Sequence, residues 1–114
     1  MSQIDGNELR GHLETLVLAA LSAGEAHGYE ILQRLEARGE GVLHLKEGSL
    51  YPALYRLEEA GHVRAHWQDD AEGRRGPRRR IYQLTRKGKA ELARRREHWR
   101  RFVSVVGGIV EASS

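Results

Sequence analysis

The chain has 114 residues, enough for one domain with a modest core, and its 39% hydrophobic and 31% charged content fits a folded soluble domain rather than a disordered one. It has no cysteine, which excludes a disulfide scaffold and a thiolate metal site and suits a reducing cytosol. Its longest apolar run, Leu16 to Leu21, is too short to cross a bilayer and no export signal opens the chain, so a cytoplasmic protein without a membrane partner is expected.

The first predicted element is a helix. Asp5 and Glu8 have capping-box spacing and Asn7 is a competing N-cap. Leu9, Leu13, Leu16, Val17, Ala20 and Leu21 then share one helical face until Gly24 stops it. A second helix follows His27-Gly28, turns Ile31, Leu32 and Leu35 inward, and ends at Arg38-Gly39. Gly39 to Leu45 reads as a turn or a brief strand. A third helix is expected from about Gly48 to Ala60, with Leu50, Ala53, Leu54 and Leu57 inward and Gly61 just past its end. With Ser49 as N-cap, Pro52 falls in the first turn, where its missing N–H has no helical partner to lose.

The period then changes. Val63, Ala65 and Trp67 alternate with Arg64, His66 and Gln68, the pattern of a half-buried strand. Asp69 to Pro77 is polar, with two Gly and a Pro, and reads as a loop. Arg79 to Leu84 is a second strand, which completes a hairpin with an arginine-loaded tip. Thr85 caps a last helix from about Arg86 to Val110, roughly 38 Å long at 1.5 Å per residue. The fold class is therefore mostly α with a small β-hairpin. Three helices and a two-stranded wing form a winged helix-turn-helix over residues 1–84, and 85–114 add a long C-terminal dimerisation helix packed on the same domain.

Charge is segregated along this order. Arg74 to Arg101 hold 13 Lys or Arg and 2 acids, whereas the other 86 residues hold 6 basic and 14 acidic ones. Such a face suits phosphates, although a solvated helix run would look the same from charge alone. The third helix offers Ser49, Tyr51, Tyr55 and Arg56 beside Pro52, with Lys46 just ahead. Hydroxyls bond phosphates or base edges, and Arg binds guanine bidentately. The wing offers Arg74, Arg75, Arg78, Arg79 and Arg80 around Gly73, Gly76 and Pro77, so that cations sit on a backbone able to approach a duplex.

The last helix places Leu92, Trp99 and Val106 seven apart, and Phe102 and Ile109 seven apart, with Val103 and Val110 beside them. This a/d-like seam is read as the interface of a homodimer. It could equally fold back on the first helix, and Trp99 and Phe102 could instead line a small-molecule pocket. Enzyme signatures are missing: there is no Gly-rich phosphate loop, no HExxH and no G-x-S-x-G, and of the six His the one pair spaced i, i+4, His62 and His66, is read on a loop edge and a strand, unlike a helical metal pair. No cofactor, metal or catalytic residue is assigned.

Three segments together resemble the PadR family of transcriptional regulators: His27-Gly28-Tyr29-Glu30-Ile31, the run Gly48-Ser49-Leu50-Tyr51-Pro52-Ala53-Leu54-Tyr55-Arg56-Leu57-Glu58, and Tyr82-Gln83-Leu84-Thr85-Arg86-Lys87-Gly88. The likeness spans roughly residues 9 to 110 and is nearest to the short subfamily, whose chain ends in a tryptophan-bearing helix. It implies a repressor that binds double-stranded DNA at a palindromic operator as a homodimer. By position, the resemblance assigns DNA contact to Ser49, Tyr51, Pro52 and Tyr29, and dimerisation to the first and last helices, which adds Leu13 to the seam. Some members release DNA on binding phenolic acids or drugs, so a small aromatic inducer is a further candidate partner. Two other classes stay open: a ligand-responsive multidrug or phenolic sensor with a dimer-interface pocket, and a winged-helix protein-interaction module whose wing meets an acidic partner.

Overall fold

The computed structural model describes residues 4, 9, 11–43, 45–68 and 78–112. In chain order the elements are α1 (Leu13–Leu21), β1 (Ala26–His27), α2 (Gly28–Arg38), α3 (Glu47–Glu59), β2 (Val63–Trp67), β3 (Arg80–Leu84) and α4 (Arg86–Val110). The helix-turn-helix pair, the hairpin and the long last helix all form as their periodicities require. The expected Asp5, Asn7 and Glu8 caps and the loop from Asp69 to Pro77 lie outside the described residues.

Four leucines and two β-branched residues make the centre of the core: Leu18, Leu50, Leu54, Leu57, Val17 and Ile31 are all 0–1% exposed. They come from α1, α2 and α3, one inward stripe from each helix, and bury apolar area at about 25 cal/mol per Å². The sheet closes one side, with strand order β1-β3-β2 and both pairings antiparallel. Val63, Tyr82 and Leu84 bring the hairpin root into the core.

Cations from neighbouring elements satisfy the carbonyls that helix ends leave open. Arg34 on α2 donates to the Ala20 and Gly24 carbonyls at the end of α1, at 3.1 and 2.7 Å. Arg38 donates to the Ala19 carbonyl at 3.1 Å. Lys87 donates to the Ala60 carbonyl at the end of α3, at 2.8 Å.

Two local expectations need correction. α3 begins at Glu47 with Lys46 as N-cap, so Ser49 is inside the first turn and caps nothing. Pro52 is then a helix-interior residue, and the N–H it lacks would have bonded the Gly48 carbonyl one turn back. The described part of α1 starts at Leu13, with His12 as N-cap and no side-chain cap, and Leu9 lies in a turn before it.

The strand-to-helix corner at Thr85 is built on hydrogen bonds and on the lack of a side chain at Gly88. The Thr85 hydroxyl accepts from the Gly88 N–H at 2.9 Å and donates to the Gly61 carbonyl at 2.6 Å. The Thr85 N–H donates to the His62 carbonyl at 3.1 Å. Gly88 lies directly against that same carbonyl, so a Cβ there would fall on the His62 backbone. One turn further on, Glu91 accepts from Arg94 and Arg95 at 2.7–2.8 Å. Arg95 also donates to the Thr15 hydroxyl at 3.2 Å, which ties α4 to α1.

Gly88→Ala is expected to cost about 3 kcal/mol, because backbone cannot yield as a side-chain end can, and to lower Tm by roughly 10 °C. An unchanged melting curve would refute the close approach. The Arg94 and Arg95 hydrogen bonds lower the Glu91 carboxyl from its ordinary 4.5 to about 2. A depressed folded pKa gives stability that is complete above 4.5 and is lost as pH falls toward 2. Glu91→Gln should therefore flatten the acid limb of a stability–pH curve in that window and leave its shape above pH 5 intact.

Candidate nucleic-acid interface

The N-terminal ends of α2 and α3 meet the outer half of the hairpin. His27 opens α2 with a capping box: its Nδ1 accepts from the Glu30 N–H at 3.2 Å, and its own N–H donates to the Glu30 carboxylate at 3.3 Å. That cap aims the first turn of α2 outward and leaves Tyr29 exposed. Gly28 follows it. Tyr51 of α3 lies over Gly28, where a Cβ would sit 2.9 Å from the Tyr51 Cζ. The missing side chain is what lets the Tyr51 ring bridge the two helices.

On α3 the outward arc carries Glu47, Gly48, Tyr51, Pro52, Tyr55, Arg56 and Glu59, all exposed. Tyr55 is at its centre, and Lys46 is exposed at the start of the helix. Tyr51 is on the edge toward the wing. Ser49, half-buried, is beyond the opposite edge, near Arg56. Arg56 donates to Glu14 of α1 at 3.0 Å and lines the groove between α1 and α4. It was expected beside the tyrosines on the groove-reading face. It is exposed on the same arc, at its margin beside Ser49, and its ion pair with Glu14 directs the guanidinium toward α1.

The wing completes the surface. Arg78, Arg79 and Arg80 are exposed, while Arg74 and Arg75 lie outside the described residues. An open groove of about 420 Å³ is lined jointly by Tyr29, Tyr51, Trp67 and these three arginines, with His27 and Tyr82 at its floor. Arg80 donates to Glu58 of α3 at 3.1 Å, so its charge is largely offset. Arg79 Nη1 lies 2.8 Å from His27 Nε2. Tyr82 is buried beneath, and that burial, reinforced by Glu58, pushes its phenol up, which keeps it neutral.

Two contributors went unassigned from sequence, His27 and Trp67. Trp67 alternates with the core residues Val63 and Ala65 and reads as apolar filling. The strand outruns the core, however, and leaves the ring 51% exposed with Arg78 and Arg80 at 5.8 and 5.7 Å from its centroid. An exposed aromatic at the outer end of a wing strand, followed by arginines, was the available signal.

The seam residues divide. Leu92 is 3% exposed and belongs to the chain's own core, so it is withdrawn from the interface between copies. Leu13 is partly buried against the same core. Trp99, Phe102, Val103, Val106 and Ile109 are exposed. His12 meets Trp99 edge-on at 5.4 Å, and Trp99 stacks on Phe102 at 5.8 Å. Among the described residues no group of His, Asp and Glu could hold a metal ion, and no helix is long and apolar enough to cross a membrane.

The model of the PadR-like transcriptional regulator family matches residues 17–94. Among solved structures, the chain is similar to a transcriptional regulator from Clostridium thermocellum: 27% identity, TM-score 0.82, covering 95% of this chain and 99% of that one. It is similar to a PadR family transcription regulator from Clostridium difficile, at 31% identity and TM-score 0.75, over 88% of this chain and 99% of that one. It is also similar to a PadR-like transcriptional regulator from Bacillus cereus, at 27% identity and TM-score 0.77, over 95% of this chain and 100% of that one. Proteins of this family are transcriptional regulators, not enzymes. With the match running from within α1 to the first turns of α4, the chain belongs to the PadR-like family of transcriptional regulators.

Proposed function

We propose that this DNA-binding regulator is a repressor that acts in the cytoplasm as a homodimer on a palindromic operator. One observation carries the reading: Tyr29 of α2, Tyr51 of α3 and Arg78 to Arg80 of the wing line a single groove. Lys46, Ser49, Tyr51, Pro52 and Tyr55 belong to the helix that would enter the major groove, and the wing arginines, Arg74 and Arg75 included, would neutralise backbone phosphates or enter the minor groove. Residues 1–84 form the DNA-binding unit and 85–114 the dimerisation helix, whose first turns also close the core of that unit.

The dimer is supported by the outer half of α4, where Trp99, Phe102, Val103, Val106 and Ile109 stand exposed on one long helix. Apolar surface of this kind is costly in water and is covered most simply by the same surface on a second copy. A small aromatic inducer is a second reading. It is favoured by the open groove of about 490 Å³ between α1 and α4, which His12, Trp99 and Phe102 wall.

Selection of bound sequences from a random duplex pool tests the main reading. Enrichment of two inverted half-sites is expected; no enrichment would leave a protein-interaction module as the better account. On a selected duplex, log affinity should fall linearly with log salt, with slope about −0.9 per phosphate contact. Arg78→Ala with Arg79→Ala should shallow that slope by about 2, and Arg80→Ala by less than 1, because Glu58 already offsets Arg80. Equal slopes in all three proteins would remove the wing from the interface. Gly28→Ala should displace Tyr51 and weaken operator binding about tenfold without changing the slope, and full affinity in that variant would take Tyr51 out of the contact.

A further inference from the structure

We propose that Trp67 is the positioning residue of the wing, holding Arg78 out toward DNA and fastening the hairpin to α3 through Arg80; this deepens the DNA-binding reading and rests on it. Trp67 is the last residue of β2 and stands directly opposite Arg80 of β3. It shares a face with Val63 and Ala65, and that face is core at the hairpin root, where Val63, Tyr82 and Leu84 are buried. At Trp67 the face has left the core, and half of the indole is in water. A ring left there for packing alone would gain little. It gains from cations instead: two guanidinium groups lie over it, Arg80 directly across the ladder and Arg78 one diagonal step away.

The two arginines then do different work. Arg80 has its guanidinium over the ring and reaches Glu58 on α3 with the same group, so Trp67, Arg80 and Glu58 form a chain from β2 across β3 to the helix that reads DNA. That chain sets how far the wing stands from α3, and with it which groove positions both can contact together. Arg78 has no anionic partner among the described residues. Trp67 holds it extended beside Tyr29 and Tyr51 in the shared groove. A flexible arginine loses rotamer freedom when it settles on a phosphate, and one already laid on a ring loses less. The ring itself adds no charge. Its effect is therefore on affinity and not on the number of phosphates neutralised.

The test uses a labelled duplex recovered by the wild-type protein from a random pool. Trp67→Ala should weaken binding about three- to tenfold, the rotamer freedom that an Arg78 no longer laid on the ring loses on reaching a phosphate, with the salt slope close to wild type. Trp67→Phe should restore most of the affinity, and Trp67→Ala should cost less in an Arg78→Ala background. Wild-type affinity in Trp67→Ala, or a slope shallower by one or more, overturns the proposal. Should Trp67→Ala melt early, the clamp is judged without it: in the free wild-type protein the δ protons of Arg78 and Arg80 should resonate upfield through the indole ring current. Unshifted protons with intact DNA binding overturn the proposal alone. A wild-type protein that recovers no duplex overturns the DNA-binding reading and the proposal with it.

Discussion

At the corner between β3 and α4, the Thr85 hydroxyl holds the Gly61 carbonyl while Gly88 lies against the His62 carbonyl, and three elements take their positions from this contact. The C-terminus of α3 is fixed there, aided by Lys87 on the Ala60 carbonyl. The root of the wing is fixed there, because β2 starts at Val63, one residue beyond His62. The departure of α4 is fixed there by the Thr85 cap. The angle between α3 and the wing is thus set by backbone contacts that leave no space for a methyl group. A surface made of two elements works as one only if their angle does not vary, and the corner supplies that rigidity.

Seven of the nineteen Lys and Arg side chains serve the fold before they serve a partner. Arg34, Arg38 and Lys87 hold helix-end carbonyls. Arg94 and Arg95 hold Glu91, Arg56 holds Glu14, and Arg80 holds Glu58. The small net charge of +3 is therefore a poor guide to the surface. Lys46, Arg78 and Arg79 form no ion pair with a described carboxylate; Lys46 is exposed at the start of α3, and the two arginines share a groove with Tyr29 and Tyr51. A few unpaired cations next to aromatic hydroxyls and a helix N-terminus give more directed phosphate recognition than a diffuse basic run.

Most of the fold was legible in local pattern. The last helix has its expected bounds because Thr85 is a strong N-cap and the apolar spacing continues to Val110. The hairpin was legible from alternation. What escaped depends on distant partners. β1 is two residues long and exists only by pairing with β3, far along the chain, so no local signal marks it. Leu92 has seam spacing, yet a heptad stripe does not say whether its partner is the same chain or another copy; here α1 and β3 cover it. Arg56 lies on the exposed arc of α3, and only the placement of Glu14 shows which margin it serves. Ser49 was misread as a cap because Pro52 argues for a later start, whereas α3 starts at Glu47 and accepts the proline inside.

The chain carries two tryptophans, one in each region that matters: Trp67 in the wing groove and Trp99 on the outer half of α4. Their indole N–H resonances in a ¹H–¹⁵N spectrum report on the two regions separately during titration with a selected duplex. Displacement of the Trp67 signal with Trp99 held in place is the outcome that the combined wing and α3 surface requires. A Trp99 signal that moves while Trp67 stays still would put the DNA on the wrong side of the molecule and contradict the account.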